Sequence, residues 1–260
     1  MPTIPGVANT PPSNVKVASQ EAINAEIALI AGGYEGGSQL QSHPRLDYPP
    51  YRSSVKRCPT NDPYRIDPEL IERTSPVFGQ GDVGPFDSDL TVQHRGAPIG
   101  ERIVVTGRVL DTDCRPIAGQ LVEVWQANAA GRYIHIRDQH QAPLDPNFTG
   151  VGRCLTAADG SYRFTTVKPG PYPWRNHHNA WRPAHIHFSV FGRAFTQRLI
   201  TQMYFPGDPL FDYDPIFQSV LDRRSRERIV ATYDHDVSSH EEHTGYRWDI
   251  VVGETPTVNP

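Results

Sequence analysis

Apolar, β-branched and aromatic positions are unevenly spread along the chain. Beyond Pro98 they gather into short runs, Arg102 to Leu110, Gly119 to Gln126, Ser161 to Thr166, Ala184 to Phe191 and Arg198 to Tyr204, and each reads as a strand. Asp159-Gly160 reads as a hairpin turn, and Tyr246 to Val252 as a closing strand. The runs are separated by turn residues and do not alternate with helical patterns. Two antiparallel sheets packed face to face satisfy that order best. The expected fold is mainly β: an antiparallel β-sandwich core, with short helices and long loops at the N-terminal and C-terminal ends.

The first part of the chain has a different pattern. Residues 1 to 18 are rich in Pro, Thr, Ser and Asn, a composition that buries too little apolar surface to repay the entropy of ordering. From Ser19 the positions Ala22, Ile23, Ala25, Ile27, Ala28 and Leu29 suit a short helix that ends at Gly32-Gly33. A second short helix is expected from Asp67-Pro68, where Asp caps the free amides and Pro takes the first helical position, and it ends before Pro76. Arg223 to Arg228 reads as a solvated helix face. The expected organisation is a flexible extension with a short helix over residues 1–45, an arm contributing to pocket and assembly over 46–97, and a catalytic sandwich over 98–260.

Composition narrows the function. The chain has 260 residues, enough for one large core, and its 25 prolines and 21 glycines fit many turns. A net charge of only −4 provides no broad basic field for nucleic acid or an anionic membrane, so neither is expected as a partner. Cys58, Cys114 and Cys154 are far apart and odd in number, which supports neither a CxxC metal site nor a disulfide framework. With no long apolar run and no secretory pattern at the start, the chain reads as a cytoplasmic protein.

Candidate chemistry is concentrated in Trp181-Arg182-Pro183-Ala184-His185-Ile186-His187-Phe188. In an extended chain His185 and His187 point to the same side, which suits one metal ion. Imidazole accepts many metals. Tyr133 and Tyr172, in Gly131-Arg132-Tyr133 and Gly170-Pro171-Tyr172-Pro173-Trp174, are plausible further ligands and change the choice. A phenol loses its proton only near pH 10, so a phenolate ligand at neutral pH calls for a strong Lewis acid, with iron(III) the leading candidate. A bare His-x-His can equally be an ordinary strand pair.

Residues 98 to 222 resemble the catalytic core of the intradiol ring-cleaving dioxygenases, most closely the iron-bearing β chains that act on protocatechuate. The resemblance is carried by Pro98 to Arg102, Leu121 to Asn128, Leu144 to Phe148, Lys168 to Asn176 and Arg182 to Phe188. It implies one nonhaem Fe(III) per chain held by Tyr133, Tyr172, His185 and His187. It implies cleavage of 3,4-dihydroxybenzoate with dioxygen, between the two hydroxyl-bearing carbons, to 3-carboxy-cis,cis-muconate. Another substituted catechol, such as 4-sulfocatechol, is the alternative substrate. Tyr172 corresponds to the phenolate that yields its place to the catechol and takes one of its protons. Arg182 corresponds to an arginine that stabilises charge on the ring, and Gln202 to a glutamine beside it. Trp174, Tyr51 and Ile216 match positions around the substrate, and Arg57 matches a basic position near the opening. Aromatic packing is the competing reading for Trp174, and a solvated surface residue for Arg57. Iron-bearing chains of this kind often pair with a related α chain, so a hetero-oligomer with such an α subunit, or a homo-oligomer, is expected.

Two rivals stand beside this reading. One is a noncatalytic sandwich module in which the four residues serve only structure. The other is extradiol cleavage on iron(II), which uses two histidines and a carboxylate. Gly79 to Gly84 spells GxGxxG, but no strand precedes it and Pro85 follows it, so no nucleotide site is read there. His177-His178 and His240-Glu241-Glu242-His243 receive no catalytic role, and His135 is read as packing or support.

Overall fold

The computed structural model describes residues 44, 47–61, 81, 83–176, 178–191 and 198–258, all within one compact unit, Gly36–Pro260. The helices expected from Ser19 and from Asp67 lie outside the described residues. The described residues build two stacked sheets. The first contains β1 (Arg102–Leu110), flanked by β4 (Ser161–Val167) on one side and by β10 (Thr244–Arg247) and β11 (Ile250–Val251) on the other, with β9 (Thr232–Tyr233) beyond β10. The second has the order β3 (Val151–Leu155), β2 (Leu121–Trp125), β7 (His185–Phe191), β8 (Arg198–Tyr204), antiparallel throughout.

Strict alternation places the core. Ile103, Val105 and Val109 of β1 and Phe164 of β4 meet Val122 and Val124 of β2, Ile186, Phe188 and Val190 of β7, and Leu199 and Met203 of β8 in one apolar cluster. Phe188 is central to it, with its ring 4.7 Å from Trp248 and 5.7 Å from Phe164. Side chains of a strand alternate between faces. The odd positions of β7, His185 and His187, are therefore turned to the outer face of the second sheet. There they lie opposite Tyr204 and Gln202 of β8, and His187 also lies opposite Trp125 of β2. Loops and a small hairpin cover that outer face, which is why His185 and His187 are buried.

The cover consists of β5 (Tyr172–Trp174) paired with β6 (Ala180–Arg182), the 127–142 loop, a single 3-10 turn (Phe211–Tyr213) and the short helix α2 (Pro215–Ser219). Asp214 starts α2, its side chain accepting from the Ile216 amide. Helix α1 (Arg52–Arg57) follows Tyr51, and the Ser54 hydroxyl ties the turn together by donating to the carbonyls of Tyr48 and Tyr51. Helix α3 (Arg223–Glu227) is capped by Asp222 and exposes Arg223, as a solvated face should.

Three expectations need correction. The first sheet is mixed, because β10 and β11 run parallel to β1. The closing strand is broken in two at Trp248-Asp249. A Cβ on Gly107 would lie 1.7 Å from the Trp248 carbonyl oxygen, so the backbones approach too closely for a regular ladder, and the Asp249 carboxylate accepts from the Arg108 amide instead. Asp159-Gly160 does form a tight turn, with Gly160 at φ +75, but it is not a hairpin. It carries the chain from β3 in one sheet to β4 in the other: the dipeptide sets the local bend, and the core faces choose the pairing. Strands β3, β5, β6 and β9 and helix α1 were not legible. Gly152 and Arg153 interrupt the apolar pattern of β3, and the others are short.

Candidate active site

The candidate ligands come from three segments on the outer face of the second sheet. Strand β7 presents both imidazoles, their rings 4.8 Å apart. Nδ1 of His185 lies 2.7 Å from the Pro183 carbonyl. A carbonyl only accepts, so this nitrogen carries the proton and Nε2 presents a lone pair. Nδ1 of His187 is buried without a partner among the described residues, and the ring instead stacks on Trp125 at 4.9 Å and 4°. Tyr133 arrives on the loop after β2. Buried Asn128 shapes that loop by accepting from the amides of Ala130 and Arg132, and Asp138 accepts from the Tyr133 amide. The Tyr133 hydroxyl lies 3.1 Å from His187 Nε2 and 3.4 Å from His185 Nε2. Tyr172, on β5, has its ring 5.7 Å from those of both Tyr133 and His185. The four candidate ligands thus converge on one point.

Electrostatics suits an incoming cation. Burial first, and then the Arg182 charge, hold His185 and His187 well below the usual imidazole range, so both are neutral with lone pairs free. Burial also raises the Tyr133 and Tyr172 phenols, Tyr133 well above its ordinary 10, with the neighbouring Tyr172 adding to the effect. A metal binding here must displace protons from buried phenols, which demands a strong Lewis acid. Two imidazoles and two phenols, with one imidazole tautomer fixed for ligation, fit a ferric ion. Among the described residues no group of three or more His, Cys, Asp and Glu could hold a metal.

Behind the tyrosines lies a fully buried polar layer. Arg182 pairs across the hairpin with Tyr172, its guanidinium 5.4 Å over the Trp174 ring. It donates to Asp214 at 3.1 Å, to the Tyr204 hydroxyl at 3.3 Å and to the Gln202 side-chain oxygen. Burial opposes its charge, but Asp214 and the surrounding tyrosine oxygens outweigh burial and hold it well above the ordinary guanidinium range. In front of the tyrosines opens a cavity of about 1230 Å³, lined in part by Tyr133, Tyr172, Trp174, Trp125 and Trp181. The remaining candidates sit to one side. Tyr51 is 5.3 Å from the Trp174 ring and shares an apolar cluster with Ile216 and Tyr204, and Arg57 is exposed with its tip 2.5 Å from the Tyr51 hydroxyl. Neither Ile216 nor Arg57 lines the cavity. His135 is exposed, its Nδ1 accepting from the Arg137 amide.

Trp125, Tyr204 and Asp214 were missed as site residues. Asp214-Pro215 does carry the helix-start signature used at Asp67-Pro68, which signals the cap but not the arginine it also holds. Tyr204 could have been found from Gln202, since the two share a face of one strand.

Comparison with known proteins agrees with this geometry. Residues 73–254 match the family model described as "Dioxygenase", and residues 38–69 match that described as "Protocatechuate 3,4-dioxygenase beta subunit N terminal". The protocatechuate 3,4-dioxygenase beta chain of Burkholderia cepacia is 57% identical over 213 residues, 81% of this chain and 90% of that protein. Hydroxyquinol 1,2-dioxygenase of Rhizobium sp. (strain MTP-10005) is 37% identical over 152 residues, 52% of this chain and 50% of that protein. The crystal structure of hydroxyquinol 1,2-dioxygenase from Pseudomonas putida DLL-E4 has a TM-score of 0.50 at 21% identity, covering 92% of this chain and 85% of that chain, a likeness of fold. With most of its length matched by the family model and by a relative of such identity, the chain belongs to the intradiol dioxygenase family, alongside the β chains of protocatechuate 3,4-dioxygenase.

Proposed function

We propose that this chain is the iron-bearing subunit of an enzyme that opens protocatechuate with dioxygen between its two hydroxyl-bearing carbons, giving 3-carboxy-cis,cis-muconate. The observation that carries the reading is the convergence of the Tyr133 hydroxyl on Nε2 of both His185 and His187, with Tyr172 beside them and both tyrosines lining the adjoining cavity. Membership of the family supports the chemistry, and the 57% identity to a protocatechuate-cleaving chain supports the substrate.

Tyr133, Tyr172, His185 and His187 would hold one ferric ion, which supplies a Lewis acid able to bind a catecholate and ready its ring for dioxygen. The chain's own groups do the rest. His185 keeps its orientation through the Pro183 carbonyl, and His187 through the Trp125 stack. A catechol that binds as a dianion releases two protons: Tyr172, as a phenolate, would take one of them and a hydroxide from solvent the other. Burial favours that protonated phenol. Arg182 places a permanent charge behind the ring, where negative charge develops, and Gln202 lies against it within the same buried layer. Trp174 forms a wall of the cavity with Tyr51 packed on it, and Arg57 at the surface suits attraction of an aromatic carboxylate.

The resemblance to β chains suggests a related α chain as partner, and no helix among the described residues is long and apolar enough to cross a membrane, which suits a cytoplasmic enzyme. The direct test is oxygen uptake and product identification with protocatechuate, 4-sulfocatechol and unsubstituted catechol. Preferential conversion of protocatechuate to the 3-carboxymuconate is expected. Proximal cleavage to a semialdehyde, or no uptake by iron-replete protein, would refute the reading.

A further inference from the structure

Arg182 carries its charge where water is excluded: its side chain is 2% exposed and that of Asp214 0%. A cation in such a place persists only with a partner. That partner comes from a different element, and its two oxygens have separate contacts. Asp214 Oδ1 accepts from the Ile216 amide at 2.9 Å, which starts α2. Its Oδ2 accepts from Arg182 Nε at 3.1 Å and from the Tyr204 hydroxyl at 3.0 Å. The same hydroxyl is 3.1 Å from the Gln202 side-chain oxygen, to which Arg182 also donates. The guanidinium is therefore held at Nε by Asp214 and at one terminal nitrogen by Gln202 and Tyr204, while its central carbon lies over the Trp174 ring.

We propose that Asp214 is a positioning residue for the reaction: it fixes the charge and the plane of Arg182 toward the substrate ring, and through its second oxygen it ties that orientation to the start of α2, which carries Ile216. The inference rests on the role proposed above for Arg182. Asp214 bonds to Arg182, to the Tyr204 hydroxyl and to the Ile216 amide but to none of the four candidate metal ligands, so its proposed effect on turnover passes through the arginine. The packing favours this over a merely structural ion pair. A structural pair needs only charge balance, whereas here Gln202, Tyr204 and the Trp174 ring also contact the guanidinium and restrict its orientation.

Asp214→Asn tests this with nearly unchanged shape. Asparagine has a single acceptor oxygen, so it can cap Ile216 or face Arg182 but cannot do both. The expected result for iron-loaded Asp214→Asn protein is a kcat lower by on the order of tenfold to a hundredfold, with KM for protocatechuate changed far less and iron content kept. In the cycle, Arg182→Ala and the double variant Arg182→Ala/Asp214→Asn should have the same kcat within about twofold, because the aspartate has nothing left to position. Wild-type kcat per iron in Asp214→Asn, whatever its melting temperature, would overturn the inference, and so would a further fall in the double variant. If Asp214→Asn alone fails to fold, the double variant leaves no buried charge unpaired, and its comparison with Arg182→Ala still decides. Wild-type turnover in Arg182→Ala would instead show that the role assigned to the arginine is wrong, an outcome distinct from a slow Arg182→Ala beside a normal Asp214→Asn.

Discussion

Of the residues drawn together on the outer face of the second sheet, Arg182 has the sharpest consequence. A guanidinium cannot be deprotonated in this setting and does not ligate metal, so its removal separates catalysis from metal binding. Arg182→Ala is expected to keep its iron and lose on the order of a hundredfold in kcat, the scale seen when one preorganised charge or donor is deleted. Parallel iron analysis and steady-state rates check this, and loss of iron along with rate would assign Arg182 to structure. Tyr133→Phe and His185→Ala should behave in the opposite way, lowering iron occupancy itself. At this scale much of the site was legible. His185 and His187 could be read as a same-face pair because strand periodicity needs only local sequence. What was not legible is what fixes each of them. The Pro183 carbonyl is a backbone contact with no side-chain signature, and the Trp125 stack depends on strand register. Arg182 gave no hint of Asp214, because a buried charge declares its need for a partner only once burial is known.

Between residues and fold, the two tyrosine-bearing segments are joined by backbone contact. Gly131, at φ +76, begins the turn into Tyr133, and a Cβ there would lie 2.3 Å from the Pro171 carbonyl oxygen, immediately before Tyr172. Gly131→Ala therefore pushes the two segments apart and strains the left-handed turn, at a cost of about 1–3 kcal/mol. The expected outcome is a folded protein with a modestly lower melting temperature and a larger fractional loss of iron. Calorimetry beside metal analysis measures both, and unchanged iron occupancy would contradict the role given to this contact. Most of the longer strands of the sandwich were readable, β1 and β8 at both ends, because their apolar runs are long, whereas β3 and β9 were not. The β5–β6 hairpin that places Tyr172 opposite Arg182 was not. Three-residue strands, one of them containing Pro173, carry no periodic signal, and their pairing is set by the sheet they cover.

For the molecule as a whole, stability should depend on acid in a definite direction. Asp87, bonded by Arg153, sits below the ordinary carboxylate value of 3.8, as do Asp222, bonded by Ser225, and Asp234, where burial pushes upward but Arg247 and the amides of Val237 and Asp236 together bring it down. A depressed folded value contributes stability that is fully present above the unfolded value and is lost as pH falls through the folded one. The melting temperature of the metal-free protein should therefore begin to fall below about pH 6.5, where unfolding lets His185 and His187 take up protons, and fall further below about pH 4 as these carboxylates are protonated, and Asp87→Asn should remove part of the second fall. A pH-independent melting temperature down to pH 3 would contradict this. Cys154, its thiol pushed up to about 12 by burial, should stay inert to thiol reagents in the folded state. The fold class followed from turn-separated strands without intervening helices, but the parallel pairing of β10 and β11 with β1 did not, since it joins residues far apart in the sequence, as Ile103 to Thr244. The most direct test of the central claim is a visible absorption spectrum of the purified, iron-assayed protein before and after anaerobic addition of protocatechuate. The account predicts about one iron per chain and a broad tyrosinate-to-iron band that shifts when the catechol binds. A correctly folded protein that remains colourless after reconstitution with iron would contradict it.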